Sequence, residues 1–318
     1  MNESSGAPGH MNSGPVDLVG VGLNATDTLI SVSKFPAPGS KADVHSLKVT
    51  LGGQVATAVV ACARWGLRTR YVGKLGDDTA ADMHRAAFAG VETQITAVPN
   101  CHSAQSHIIV DGKGERSVLW HRDPRLAIAP EELKREWVTT ARALLVDGCD
   151  TAAATQAALW AREAGIPVVA DLDDVYPNVE PLLENTDYLI VSRDFPARIS
   201  EKPDLREALQ WLQQRFGSRL AAVTLGTEGV LAWDGRQFHY SAAFRVPAMD
   251  TTGAGDIFHA GFIFGLLHDW PLPRTLDFAC AAAALNCTAA GARGNIASVA
   301  EIEKLMSNGL RYAAFQQL

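Results

Sequence analysis

"ALLVDG" (143–148), "PVVAD" (167–171), "DYLIVS" (187–192) and "AAVTLG" (221–226) decide the fold. Each is a short apolar run, and each reads as a buried strand. Helix-patterned segments separate them at 151–164, near 178–185 and at 204–216. Strands alternating with helices need crossover connections, so an α/β chain with a mainly parallel sheet is expected.

The pattern extends upstream. "VDLVGVGL" (16–23) is a further buried strand, and "GGQVATAVVACARWG" (52–66) is a helix entered through a glycine turn and closed at Gly66. "TRYVGKLG" (69–76) gives a strand, and "DDTAADMHRAAFAG" (77–90) a capped helix. Downstream, "GVLAWD" and "RQFHYSAAF" form a hairpin around Asp234-Gly235. From Asp256 to about Leu310 the chain is Ala-rich and helical. Two regions break the rhythm, 28–50 and 104–122. Their strands are amphipathic, and the turn "DGKGE" (111–115) joins the second pair. They are predicted to leave the main sheet and form a small β-sheet lid over one end of it. Residues 1–14 are Gly/Pro-rich with no apolar stretch, so they are expected to be a disordered tail and not a signal peptide.

Bulk properties narrow the function. The 318 residues suffice for a large core, and the 47% hydrophobic, 20% charged composition is that of a globular enzyme. A net charge of -7 without a basic block argues against nucleic acid and anionic membranes as partners. No uninterrupted apolar run is long enough to span a bilayer. Five irregularly spaced cysteines with no CxxC pair argue against a disulfide framework or zinc site, which suits a reducing, cytoplasmic setting.

Chemistry concentrates in "MDTTGAGDIFHAGFIFGLL" (249–267). Gly253, Ala254 and Gly255 precede a strongly apolar helix, so their amides can converge on an anion without side chains intervening. Asp256 follows in the first turn, where a carboxylate can take the proton of an attacking hydroxyl or, more simply, cap the helix. This run resembles the C-terminal signature of the ribokinase-like carbohydrate kinases, the PfkB family. The resemblance implies a three-layer αβα domain over residues 15–318, with the lid formed by about 28–50 and 104–122. It makes Asp256 the catalytic base and the 253–255 amides the anion hole. It also places a monovalent cation, K+, beside Asp250 and Thr252.

Three further stretches carry the resemblance. "GGQVAT" (52–57) is similar to the family's sugar-side GGxxAN, which implies substrate contacts from Gly52, Gly53, Gln54 and Thr57; Thr57 stands where Asn is usual. "GLNATDTLISVSKFPAPG" (22–39) places Asp27 where a carboxylate binds sugar hydroxyls. "VTLGTEGVLAW" (223–233) resembles the turn lining the ATP site, which implies roles for Thr224, Gly226 and Gly229; Asn286 and Gly294, in "ALNCTAAGARGNI", fall in the region flanking adenine and the cation, though Asn286 reads equally as a buried polar group of its helix. The family's N-x-x-E motif is altered here: Ser192 and Phe195 replace Asn and Glu, leaving Asp194 as a stand-in carboxylate.

Outside the signatures, Arg122 can reach a substrate oxygen or equally be a solvated or ion-paired arginine, and its neighbours His121 and Arg125 end the same lid strand. Asp171 lies at a strand's C-terminal end facing the Mg–phosphate region, while Asp173 and Asp174 cap the next helix. His259 is expected to pack. Nothing in the sequence gathers basic residues around Asp27, so a free monosaccharide is the expected acceptor. The expected activity is γ-phosphate transfer from ATP, with Mg2+, to a hydroxyl of a ketohexose- or ribose-like sugar. A nucleoside kinase of the same superfamily and a non-catalytic sugar or nucleotide sensor are the rivals. A homodimer through the lid strands is expected, because an exposed β-layer seeks a partner.

Overall fold

The computed structural model describes residues 15–112 and 116–313. The expected tail over 1–14 and the centre of the 111–115 turn lie outside the described residues. In chain order the strands are β1 (Val16–Val21), β2 (Ala25–Val32), β3 (Val44–Gly52), β4 (Thr69–Leu75), β5 (Glu92–Ala97), β6 (Gln105–Val110), β7 (Arg116–His121) and β8 (Ala141–Asp147). They continue with β9 (Val168–Leu172), β10 (Tyr188–Ser192), β11 (Leu220–Thr224), β12 (Val230–Trp233) and β13 (Phe238–Ser241).

Nine of these form one sheet in the order β13-β12-β11-β10-β9-β8-β1-β4-β5. The pairs from β11 across to β5 are parallel, and β12 and β13 add an antiparallel hairpin at one edge. Strand side chains alternate between two cores, as the two-residue period requires. Leu18, Ala143, Leu145, Val169, Ile190 and Ala222 enter one core, packed by helices Gln54–Arg64, Ala254–Leu267 and Leu272–Asn286. Val19, Leu144, Val146, Val168, Leu189 and Val223 enter the other, beneath helices Thr151–Glu163 and Leu205–Phe216. The result is the three-layer αβα arrangement. Sequence reading missed β5, an edge strand whose "ETQITA" has no buried residue and so no hydrophobic pattern.

The remaining four strands form a second sheet, β3-β2-β6-β7. β2 leaves the end of β1 after a short turn, and β3 runs directly into the helix at Gln54. The small sheet is thereby anchored at the C-terminal end of β1, where open α/β sheets place their sites. Register puts Asp27, Thr50, Ser106 and Trp120 on one of its faces. Ile30, Leu47, Ile109 and Leu119 occupy the opposite face. No helix among the described residues is long and apolar enough to cross a membrane.

Candidate active site

The helix Ala254–Leu267 is apolar around most of its circumference and buries Ile257, Phe258, Phe262 and Ile263. Such a helix belongs inside the protein, and its N-terminus is fixed by what surrounds it. The turn before it depends on Gly253, which has φ +74. A Cβ there would lie 2.3 Å from the carbonyl oxygen of Ala292, so only glycine fits. The N–H groups of Gly253, Gly255 and Asp256 have no acceptor among the described residues, whereas that of Ala254 donates to the Thr251 carbonyl at 3.2 Å. The expected cradle of residues 253–255 therefore loses the Ala254 amide and gains that of Asp256.

Asp256 is part-buried at the start of this helix, and its carboxylate accepts no hydrogen bond among the described residues. Burial, with the charges of Asp171 and Asp27, pushes it up to about 8. It does not cap its own helix. Asp250 instead organises the loop. Its Oδ1 accepts from the Thr252 amide (2.9 Å) and hydroxyl (2.7 Å), and its Oδ2 accepts from the Gly291 amide at 2.8 Å.

On one side of Asp256 lies Asp27, buried at the start of β2. Its Oδ1 accepts the Ser106 hydroxyl at 2.5 Å, and burial raises its pKa. Gly52 lets this carboxylate approach, since a Cβ there would sit 2.3 Å from Asp27 Oδ2. Gly53 takes φ +88 against the backbone of Leu23 and Asn24. Thr57 does not face an open cleft as expected. It is fully buried, and its hydroxyl receives Arg293 Nε at 3.3 Å. The guanidinium of Arg293, from the far end of the chain, lies beside it. Gln54 donates to Asp171 Oδ1 at 3.2 Å.

On the other side opens a mostly apolar cleft of about 200 Å3, lined by Thr224, Gly226, Gly229, Val246, Ala254, Gly255, Phe258 and Ala283 among others. Apolar walls converging on a helix N-terminus suit an aromatic base carrying phosphates. Asn286 and Gly294 do not line this cleft. Asn286 is fully buried; its amide donates to the carbonyls of Thr252 (3.3 Å) and Ala292 (3.0 Å), and its Oδ1 accepts from the Asn295 amide. It staples the 250–253 loop to the 291–295 loop. Gly294 makes the tight turn of the second loop, its amide donating to Gly291.

Arg122 is held in an ion pair. It forms a two-pronged pair with Asp150 (2.9 and 2.7 Å) and also donates to the Leu126 carbonyl. Arg125 pairs with Asp123. Asp171, at the end of β9, is buried with its pKa raised well above normal by desolvation and nearby carboxylates. Its Oδ2 lies 3.2 Å from His259 Nδ1 yet makes no hydrogen bond. His259 Nδ1 meets the Gly255 carbonyl at 2.8 Å and Nε2 the Ile190 carbonyl, which locks the imidazole behind the site. Asp173 does not cap a helix: it receives the Tyr176 hydroxyl at 2.5 Å. Asp174 pairs with Arg198. Asp194 is exposed and Phe195 fully buried. Among the residues of this site, sequence reading missed Arg293, because its partners lie more than 230 positions away.

Comparison with known proteins identifies the family. The family model described as pfkB family carbohydrate kinase matches residues 17–298. An ATP-dependent ribose-1-phosphate kinase from Halopiger xanaduensis is 30% identical over 277 residues, covering 84% of this chain and 90% of that relative. A 5-dehydro-2-deoxygluconokinase from Geobacillus kaustophilus is 25% identical over 92% of this chain and 94% of its own. The fold is that of the ribokinase from Arabidopsis thaliana solved with ribose and ATP, at TM-score 0.80 and 22% identity over 93% of this chain and all of that one. With the family model spanning almost the whole described chain, and with Asp256 set beside free amides at the mouth of the cleft, this protein belongs to the pfkB family of carbohydrate kinases.

Proposed function

We propose that the chain transfers the γ-phosphate of ATP to a hydroxyl of a small carbohydrate, with Asp256 as the base. One observation carries this reading: a carboxylate with no partner stands between a sugar-side carboxylate, Asp27, and a cleft ending in unpaired amides. ATP would lie with its base among Val246, Phe258 and Ala283 and its phosphates toward Gly255. The acceptor would be held by Asp27 through paired hydroxyl donors. Asp256 would then take the proton of the attacking hydroxyl, while the amides of Gly253, Gly255 and Asp256 stabilise charge on the transferring group. Relatives named ribokinase, fructokinase, ribose-1-phosphate kinase and 5-dehydro-2-deoxygluconokinase support a carbohydrate acceptor without choosing among them.

Mg2+ fits this cleft as an ion carried in by the triphosphate. Among the described residues no three ligand-type side chains converge on one point, and Mg2+ commonly keeps waters and phosphate oxygens as ligands. Asp171 would face it through water, and the ion would neutralise phosphate charge. K+ would sit beside the loop that Asp250 and Thr252 hold. The small sheet would close as a lid over the acceptor and join two copies of the chain.

The test is Asp256→Asn assayed for ATP consumption over a sugar panel. Loss of the base should lower kcat by about a hundredfold or more. An unchanged rate removes Asp256 from the chemistry.

A further inference from the structure

Arg293 is a part-buried cation with no carboxylate paired to it among the described residues. Its Nε donates to Thr57 Oγ1 and its Nη2 to the Gly52 carbonyl, both at 3.3 Å. Nη1 is shut off from solvent and has no hydrogen-bond partner. The guanidinium lies 5.8 Å from the Phe88 ring centroid. Among the described residues no carboxylate lies within ion-pairing distance of it. A guanidinium carries five N–H donors, so two long bonds to neutral acceptors leave it poorly compensated.

Its position gives that deficit a meaning. The Gly52 carbonyl it touches belongs to the turn that admits Asp27. The preceding residue, Ala292, abuts Gly253 at the anion-binding turn. Arg293 therefore joins the two halves of the acceptor side, with Asp27 and Asp256 acting on it at longer range. Burial raises the pKa of both acids, and neither lies within ion-pairing distance of the guanidinium. An acceptor carrying its own negative charge would complete the set.

We propose that Arg293 is a specificity-determining residue that binds an anionic substituent of the acceptor, making this enzyme a kinase of acidic or otherwise charged sugars. The inference rests on the acceptor side proposed above. It also turns the acceptor expected from sequence, a free neutral monosaccharide, into a charged one.

The experiment separates binding from transfer. Calorimetry on Asp256→Asn, with ADP saturating the nucleotide cleft, would compare an aldonate, a ketohexose 6-phosphate and the corresponding neutral sugars. At least one anionic sugar should bind about tenfold or more tighter than its neutral counterpart. Adding Arg293→Gln should weaken that sugar about thirtyfold or more while changing the neutral one by less than about threefold. Arg293→Lys, which keeps the charge, should restore part of the loss. The carboxylate and phosphate arms identify which anion is read. Equal weakening of both classes by Arg293→Gln, or tighter binding of the neutral sugar, overturns the proposal. Transfer by the unmutated enzyme is read separately. Tight anionic binding without phosphorylation strikes the kinase reading and leaves the anion site standing, and thermal unfolding of each variant identifies loss through misfolding.

Discussion

At the scale of single residues, Asp256 ties environment to rate. As the proposed base, Asp256 would work only when ionised, and its carboxyl is raised to about 8, chiefly by burial and then by Asp171. Activity should therefore rise with pH through that region, falling off on the acid side as the base takes up its proton. Asp171→Asn removes a neighbouring negative charge, so the acid limb of kcat/KM should move to lower pH. A limb that stays in place while kcat falls would give Asp171 a purely positional role. Asp27 and Asp256 stand out in the sequence because each lies in a contiguous motif. The residues misread or missed are those whose roles depend on distant partners. Arg122 reads from sequence as a substrate contact or an ion-paired arginine, and the structure pairs it with Asp150, 28 positions on; Thr57 reads as a ligand, and Arg293 lies against it. Asn286 reads equally as a nucleotide contact or a buried helix polar group, and its two carbonyl partners show the second.

At the scale of the element, the start of helix Ala254–Leu267 makes opposite demands on two glycines. Gly253 needs its left-handed backbone and the space beside Ala292, so Gly253→Ala should cost about 2 kcal/mol or more of stability and most of the activity. At Gly255 a Cβ would meet nothing within 4 Å, and its φ is not in the left-handed region. Alanine is the better helix former, so Gly255→Ala should leave thermal stability unchanged or slightly raised. Its methyl would nonetheless project beside the nucleotide cleft and should raise KM for ATP. Thermal unfolding and steady-state kinetics on the two variants check this, and parallel losses in both would contradict it. The central strands were readable because burial on both faces makes them continuously apolar. The edge strand β5 was not, because an edge in contact with water has no such constraint.

At the scale of the whole molecule, the small sheet leaves apolar surface uncovered. On the face away from Asp27, Leu47 is 63% exposed, Val49 44% and Leu119 58%. Ile30 and Ile109, half-buried, continue the same face. A monomer rarely leaves a contiguous patch of this kind in water, and a four-stranded sheet with one face open is a natural surface for self-association. Symmetric pairing of two copies would bury this face on each, since a twofold axis brings the same patch against itself. The opposite face, with Trp120 49% exposed and Asp27 at its base, would stay free to close over an acceptor. Pairing through the outer face would then hold each lid against its partner and couple assembly to catalysis. Leu47→Asp combined with Leu119→Asp should convert a dimer to a monomer by light scattering, because two buried like charges per copy cannot be solvated at the interface. The same variant should keep its fold by circular dichroism and raise KM for the acceptor more than KM for ATP. A wild-type chain that is monomeric at micromolar concentration would overturn pairing through this face.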